Sequence, residues 1–243
     1  YRGKIEIGLK APVRSYNDFA IWYTPGVAEP SMAIRNSRER VYDYTNKGNF
    51  VAIVTDGTRV LGLGDVGAEA ALPVMEGKAM LFKYLGGVDA FPVCLATKDA
   101  DEIITVVKEI APSFGGVNLE DIESPKCYYI LERLRDELDM PVWHDDQQGT
   151  ALVILAGLIN ALKVVGKNLS DVTIALIGAG AANMNVARYV GMAGAKYGNM
   201  IMVDSRGILN LDRKDVKGDK NKWEMCEKTN KEGRSGGIRE AMR

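Results

Sequence analysis

The chain has 243 residues, 47% of them hydrophobic and 26% charged, and its 31 basic and 32 acidic side chains give a formal net charge of −1. This balance gives no reason to expect a nucleic-acid partner, and no run reaches the ~18 uninterrupted apolar residues of a membrane span. Cys94, Cys127 and Cys226 are odd in number and widely spaced, which is typical of free thiols in a reducing compartment, so a cytoplasmic location is expected.

The first 150 residues are predicted to alternate between helices and short strands. Residues 1–47 are expected to be mostly helical, with a break at the Pro25-Gly26 turn. Strands are predicted over 50–54, 60–65, 89–95 and 140–143, and helices over 68–85, 101–110 and from Ser124-Pro125 to about 138. A strand-like apolar run also precedes Glu120.

The remaining residues have the pattern of a nucleotide-binding fold. An apolar run over 152–165 predicts a buried helix, and a strand over 172–177 leads into a glycine-rich turn, a helix and a second strand over 200–204. Gly178 permits the tight turn, and Gly180 lets a pyrophosphate approach the N–H groups of the helix. Asp204 ends the second strand and is placed to accept hydrogen bonds from a ribose. Asn183 replaces the expected third small residue, so we expect looser packing of helix on strand.

These elements predict an α/β fold in two domains. The first spans residues 1–150, and residues 151–243 form a Rossmann-type dinucleotide-binding domain with a parallel sheet. The chain opens on Tyr1 and closes on residues 234–243, which have the pattern of a helix beginning. We therefore expect the second domain to be incomplete.

Two acidic pairs are candidates for a metal site. Glu120-Asp121 and Asp145-Asp146 each lie between a strand-like run and the start of a helix. Carboxylate oxygens are the ligands that hard divalent cations prefer. The alternative is that these acids cap the helices and complement their dipoles, and the pattern leaves both open. The neighbouring His144 is expected to be a packed side chain rather than a ligand.

Five segments in collinear order resemble malic enzymes of the shorter prokaryotic type. They are residues 23–28, 54–65, 73–78, 119–122 and 144–151. The resemblance implies oxidative decarboxylation of (S)-malate to pyruvate and CO2, with NAD or NADP as hydride acceptor and Mg²⁺ or Mn²⁺ bound. It also implies a homodimer or a higher homo-oligomer, and a missing carboxy-terminal part that completes the nicotinamide pocket.

The resemblance assigns roles to particular residues. It implies that Glu120, Asp121 and Asp146 are the metal ligands, and that Asp145 is a carboxylate of the catalytic site, positioned against the lysine or against the groups around the metal. The nucleotide would be held by Gly178, Gly180, Ala181 and Asp204.

Three further side chains resemble the catalytic and substrate-binding groups of the family. Lys78 resembles the base that takes the malate hydroxyl proton, and a lysine can do so only where burial near a cation lowers its pKa towards neutrality. Tyr23 resembles the acid that protonates the enolpyruvate carbon. Arg59 resembles the guanidinium that clamps a substrate carboxylate. By residue type alone, the lysine and the arginine are more often solvated and the tyrosine more often packed.

The sequence leaves more than one coenzyme and more than one activity open. Asp204 repels a 2′-phosphate and so favours NAD, whereas Arg206 could reach such a phosphate. A metal-dependent decarboxylase of 2-oxo acids such as oxaloacetate would use the same carboxylates without the nucleotide turn. A non-catalytic partner subunit that binds metal or nucleotide is the third interpretation.

Overall fold

Two sheets organise the chain, one in each of the two units into which it divides. The computed structural model describes residues 2–243, with the first unit ending at Trp143 and the second running from His144 to Arg243. The α-helices of these residues are α1 Asp18–Trp22, α2 Ala28–Asn36, α3 Val41–Tyr44, α4 Ala68–Gly86, α5 Ala100–Ile110, α6 Lys126–Glu137, α7 Thr150–Val164, α8 Ala181–Met192, α9 Lys220–Lys228 and α10 Ile238–Ala241. The strands are β1 Phe50–Thr55, β2 Asp89–Cys94, β3 Gly116–Leu119, β4 Val142–His144, β5 Ile174–Ile177, β6 Met200–Asp204 and β7 Gly207–Ile208.

The sheet of the first unit is centred on β1 and β3. Its strand order is β2-β1-β3-β4, and β1 pairs in parallel with both β2 and β3. Parallel strands covered on both faces are continuously apolar, which explains why the short run of β1 carries no alternation. Ile53 in this strand is fully buried and packs with Met75 and Ala79 of α4. The α/β class predicted from the sequence is confirmed.

Two local predictions for the first unit are wrong in part. Residues 18–49 are largely helical, with α1 to α3 and the 3-10 helices Arg38–Arg40 and Asn46–Asn49, and the chain breaks at the Pro25-Gly26 turn as predicted. Residues 2–17 contain no helix, and α1 to α3 bury no residue. The predicted strand over 60–65 is reduced to one antiparallel bridge between Val60 and Gly64. Gly62 and Gly64 have φ of +79° and +80°, so the backbone curls into a turn instead of extending.

The second unit contains the predicted strand, turn, helix and strand. β5 and β6 pair in parallel, and β7 adds antiparallel to β6. Helix α8 follows β5 and buries Met184, Val186, Ala187 and Val190. This is the beginning of a dinucleotide-binding fold.

Helix α7 forms as predicted, but it is not buried. Only Ala151 and Leu162 are buried in this helix, while Leu152 and Val153 are 50% and 67% exposed. The helix packs mainly on α8 and on the turn before it, which leaves its other faces uncovered. With that turn it makes a 20-residue segment, Asp145–Val164, long and apolar enough to cross a membrane by length and composition. One such helix is weak evidence for a span, because helices of soluble proteins pass the same test.

Candidate metal-binding and nucleotide-binding residues

The first acidic pair lies directly after β3, at the end of a fully buried strand. Glu120 and Asp121 are 5% and 4% exposed, and one carboxylate oxygen of each lies within 4.8 Å of the other. Asp121 has a φ of +53°, a left-handed conformation that is uncommon outside glycine and that aspartate tolerates better than most residues. Such conformations persist when the surroundings fix them, and they cluster at functional sites. Two adjacent buried carboxylates fit the preference of a hard divalent cation.

Helix α4 brings Lys78 to this pair. The Lys78 Nζ lies 3.2 Å from Glu120 Oε1, and the side chains are 23% and 7% exposed. The other oxygen, Glu120 Oε2, accepts a 2.8 Å hydrogen bond from the side-chain amide of Asn118. The predicted base and a predicted metal ligand are therefore in contact. Asn118 was missed by the sequence reasoning, although a lone polar residue in the apolar strand β3 was a signal.

The loop after β1 is tied to the loop after β3. The backbone N–H of Arg59 donates to the carbonyl of Asp121 at 2.9 Å, and that of Glu123 donates to Thr58 Oγ1 at 3.0 Å. Beneath them the Lys126 Nζ lies 2.6 Å from Oδ2 of the fully buried Asp56. These contacts place the predicted substrate arginine, Arg59, beside the acidic pair through its backbone.

Tyr23 is not joined to these groups in the part of the chain that the structure describes. It ends α1 and is 70% exposed, and backbone hydrogen bonds connect it to Phe19 and Val27. The assignment of Tyr23 as the proton donor stays a prediction.

The second acidic pair begins the second unit, directly after β4. Residues Asp145–Gly149 form a single π-helical turn, a widened turn often found at functional sites. A Cβ atom on Gly149 would lie 2.2 Å from Asp145 Oδ1, so only glycine leaves room for the Asp145 carboxylate. The Asp146 side chain is 38% exposed, and its Oδ2 lies 4.0 Å from Nδ1 of the fully buried His144. Burial lowers the pKa of His144 and favours its neutral form.

Two buried glutamines connect this π-helical turn to helix α8. Gln148 Oε1 accepts from the backbone N–H of His144 at 3.0 Å, and its amide donates to the Tyr189 hydroxyl at 3.4 Å. Gln147 Oε1 accepts from the Asn185 amide at 3.3 Å. Sequence reasoning did not predict these roles, because the partners lie about forty residues away along the chain.

The glycine-rich turn is held by Asn183. Gly178 has a φ of +107°, which requires glycine, and Gly180 is the N-cap of α8, so that Ala181 is its first residue. The Asn183 amide donates to the carbonyls of Ile177 at 2.9 Å and Gly178 at 3.0 Å. The expectation of looser packing of helix on strand at Asn183 stays a prediction, while this side chain closes the turn by hydrogen bonds that glycine or alanine cannot make.

Asp204 lies at the end of β6 as predicted, but its carboxylate is already paired. Arg213 donates through Nη1 to Oδ1 at 3.1 Å and through Nη2 to Oδ2 at 3.0 Å, and the Asp204 side chain is only 8% exposed. Burial raises the pKa of Asp204, but the hydrogen bonds from Arg213 and from the Arg206 N–H outweigh it, so the pKa lies below its ordinary value. Asp204 is thus an ionised, enclosed carboxylate.

A parallel α/β unit followed by a Rossmann-type arrangement of strand, glycine-rich turn, helix and strand defines an α/β protein with a dinucleotide-binding domain. The family description "malic enzyme, N-terminal domain" matches residues 2–101 and 97–135, and "malic enzyme, NAD binding domain" matches residues 147–241. The chain belongs to the malic enzyme family, and the resemblance drawn from its sequence is confirmed.

Individual relatives agree with this family. The chain is 55% identical over 210 residues to the NAD-dependent malic enzyme of Geobacillus stearothermophilus, covering 86% of this chain and 44% of the relative. It is 44% identical over 211 residues to the NADP-dependent malic enzyme of Escherichia coli, covering 87% and 28%. The crystal structure of malic enzyme from Pyrococcus horikoshii superposes with a TM-score of 0.95 at 53% identity, covering 98% of this chain and 56% of that chain. This chain thus spans about half the length of its relatives, or less.

Proposed function

We propose that this chain carries the substrate, metal and first nucleotide-binding elements of an enzyme that oxidatively decarboxylates (S)-malate with NAD or NADP. The observation that carries the proposal is the contact between Lys78 and Glu120 at the buried carboxylate pair. A proton acceptor beside a metal ligand is what oxidation of an alcohol at a metal requires. Membership of the malic enzyme family supports the choice of substrate.

Glu120, Asp121 and Asp146 are the proposed ligands of Mg²⁺ or Mn²⁺. Each offers a carboxylate oxygen, the ligand that such cations prefer, and each acidic pair directly follows a strand of its predicted motif. When bound, such a cation polarises the substrate oxygen and stabilises developing negative charge. Asp145, enclosed against Gly149, is proposed to hold a nearby group in place through its own carboxylate.

The remaining roles follow the order of bond changes. Lys78 Nζ, as the neutral amine, would accept the proton of the C2 hydroxyl, and a bound NAD⁺ or NADP⁺ would supply the hydride acceptor. The bond between C3 and the departing carboxylate then breaks to release CO2, and the Tyr23 hydroxyl donates a proton to C3. Arg59 is proposed to bind a substrate carboxylate, which its charge and planar geometry suit.

The pyrophosphate of the coenzyme is proposed to bind at the start of α8. Gly178 and Gly180 leave two positions of this turn without a side chain, and the free N–H groups at the start of a helix beginning at Ala181 can donate to an anion. Homodimer formation and a cytoplasmic location, both expected from the sequence, remain proposals of the same kind. Sedimentation of the protein at several concentrations tests the dimer.

The metal assignment is tested by titrating Mn²⁺ into the protein and following the heat of binding. Glu120→Gln and Asp146→Asn are each expected to weaken Mn²⁺ binding by about tenfold or more, since each removes a charged ligand. Asp136→Asn changes an exposed acid of α6 and serves as the control. Variants that bind Mn²⁺ like the parent protein would show that the ligands are wrongly assigned.

The reaction is tested by following reduced coenzyme formed from (S)-malate with Mn²⁺, with and without EDTA. Formation that EDTA abolishes supports the proposal. Release of CO2 from oxaloacetate without any reduction of coenzyme by malate would favour the decarboxylase instead. Binding of metal and nucleotide with neither reaction would favour the partner subunit.

A further inference from the structure

The carboxylate of Asp204 has little capacity left for a ribose. Its Oδ1 accepts from the backbone N–H of Arg206 at 2.8 Å and from Arg213 Nη1 at 3.1 Å. Its Oδ2 accepts from Arg213 Nη2 at 3.0 Å and has the Lys222 Nζ at 3.7 Å. A carboxylate oxygen accepts about two hydrogen bonds in good geometry, so Oδ1 is saturated, while Oδ2 accepts one hydrogen bond and lies beside a second cation.

The charges around Asp204 sum to a positive value. Besides Arg213 and Lys222, the cluster contains Arg206 and one more acid, Asp215, which accepts from Arg213 Nε at 2.8 Å and from Arg206 Nη1 at 3.3 Å. Three cations therefore face two anions. Because Asp204 is enclosed and doubly paired with a guanidinium, its negative charge is cancelled at short range.

Arg206 is the cation of this cluster that is open to solvent. Its side chain is 73% exposed, whereas those of Arg213 and Lys222 are 15% and 29% exposed. A cavity of about 490 Å³ lies beside it, lined by residues that include Asp204, Ser205 and Arg206. An exposed guanidinium at the mouth of a cavity can bind a phosphate with two parallel hydrogen bonds.

In dinucleotide-binding folds, the acid that ends the second strand selects NAD by accepting the ribose hydroxyls and repelling a 2′-phosphate. Asp204 can do neither fully here, since one of its oxygens is saturated, the other is held by Arg213, and its charge is cancelled by the neighbouring cations. We propose that this chain binds NADP⁺ at least as tightly as NAD⁺, with Arg206 holding the 2′-phosphate and Arg213 neutralising Asp204. The inference rests on the proposed nucleotide site and adds to it the residues that discriminate between the two coenzymes.

The test uses a pair of probes that differ by one phosphate. Binding of 2′,5′-ADP and of 5′-AMP to the protein is measured by calorimetry, followed by NADP⁺ and NAD⁺. The parent protein is expected to bind 2′,5′-ADP more tightly than 5′-AMP. Arg206→Gln is expected to weaken 2′,5′-ADP and NADP⁺ by about tenfold, the loss of one charged hydrogen-bonding partner, and to leave 5′-AMP unchanged. Arg35→Gln, an exposed arginine of the first unit, is the control for net charge.

A second variant tests the role of Asp204 without removing a cation. Asp204→Asn is expected to change the affinity for NAD⁺ by less than about threefold, since the carboxylate is not free to bind the ribose. A large loss of NAD⁺ binding in this variant, with circular dichroism unchanged, would overturn the inference. So would tighter binding of 5′-AMP than of 2′,5′-ADP by the parent protein. Absence of binding by all four probes would instead overturn the proposed nucleotide site, and the inference with it.

Discussion

The ammonium group of Lys78 lies 3.2 Å from Oε1 of Glu120, so the proposed proton acceptor and a proposed metal ligand share one carboxylate. Lys78 is presented by helix α4, whose Met75 and Ala79 pack on the central strand β1, while Glu120 follows the neighbouring strand β3. The contact is therefore fixed by the core of the first unit. A cation bound at Glu120 as proposed would compete with the charge on Lys78 for the same oxygen, so the proposal couples metal binding to the protonation of the lysine.

This coupling predicts that Lys78→Met separates metal binding from turnover. We expect the affinity for Mn²⁺ to stay the same or to rise a few-fold, because a competing positive charge is removed. Turnover of malate is expected to fall by about 100-fold or more, the usual effect of losing a general base. Mn²⁺ titration and coenzyme reduction measure the two effects. Lys83→Met, on the same helix, is the control, and unchanged turnover in Lys78→Met would contradict the role of the base.

The ion pair between Lys126 and Asp56 is expected to stabilise the first unit. Asp56 is fully buried, so Lys126→Met leaves a buried carboxylate without its cation and should lower the free energy of unfolding by about 2–3 kcal/mol. Urea denaturation measures the change. The double variant Asp56→Asn/Lys126→Met should recover part of the loss, while Lys98→Met, from the exposed pair with Asp65, should cost less than about 1 kcal/mol. Equal losses of stability in Lys126→Met and Lys98→Met would show that burial of an ion pair does not increase its contribution to stability.

The stability of the protein is predicted to depend on the ionisation of Asp89 in acid. The Lys83 ammonium, hydrogen-bonded to Asp89 Oδ1 at 2.7 Å, outweighs burial and lowers the pKa of Asp89 from 3.8 to about 2. The unfolded chain therefore binds this proton more readily than the native state. The stabilisation is present above about pH 4 and is lost as the pH falls through about 2.

The variant Asp89→Asn should flatten the decline of stability over this interval. Urea midpoints measured between pH 4 and pH 2 provide the comparison, with Asp136→Asn as an exposed control. The same slope in Asp89→Asn and in the parent protein would assign the acid sensitivity to other carboxyls.

Asn183 is predicted to contribute to both stability and nucleotide binding. Asn183→Ala removes hydrogen bonds to two carbonyls of the glycine-rich turn and should cost about 1–2 kcal/mol, with weaker binding of 5′-AMP. Asn183→Asp should be worse than alanine, because it places an acceptor against two acceptors. Denaturation and calorimetry test the order, and an aspartate variant as stable as the parent protein would argue against these bonds.

The spacing of apolar and turn residues along the sequence was sufficient to predict the strands and helices whose apolar faces are buried. The strands β1, β5 and β6 and the helices α4, α5 and α8 lie close to their predicted positions, because their apolar spacing and turn residues agree with their burial. The sequence pattern was misleading about the extent of the first helices and about the burial of α7. Residues 2–49 contain too few buried side chains to extend their helices, and the apolar run of α7 stays largely exposed within its unit.

The sequence by itself determined the α/β class, the family, and which acidic residues stand at the ends of strands, since these depend on residue type and order along the chain. Only the tertiary structure decided what those residues contact. Lys78 and Glu120 are forty-two positions apart (120 − 78), and Arg213 reaches back to Asp204 from beyond β7. A motif identifies a carboxylate, but its charge, exposure and remaining hydrogen-bonding capacity depend on neighbours that folding brings to it.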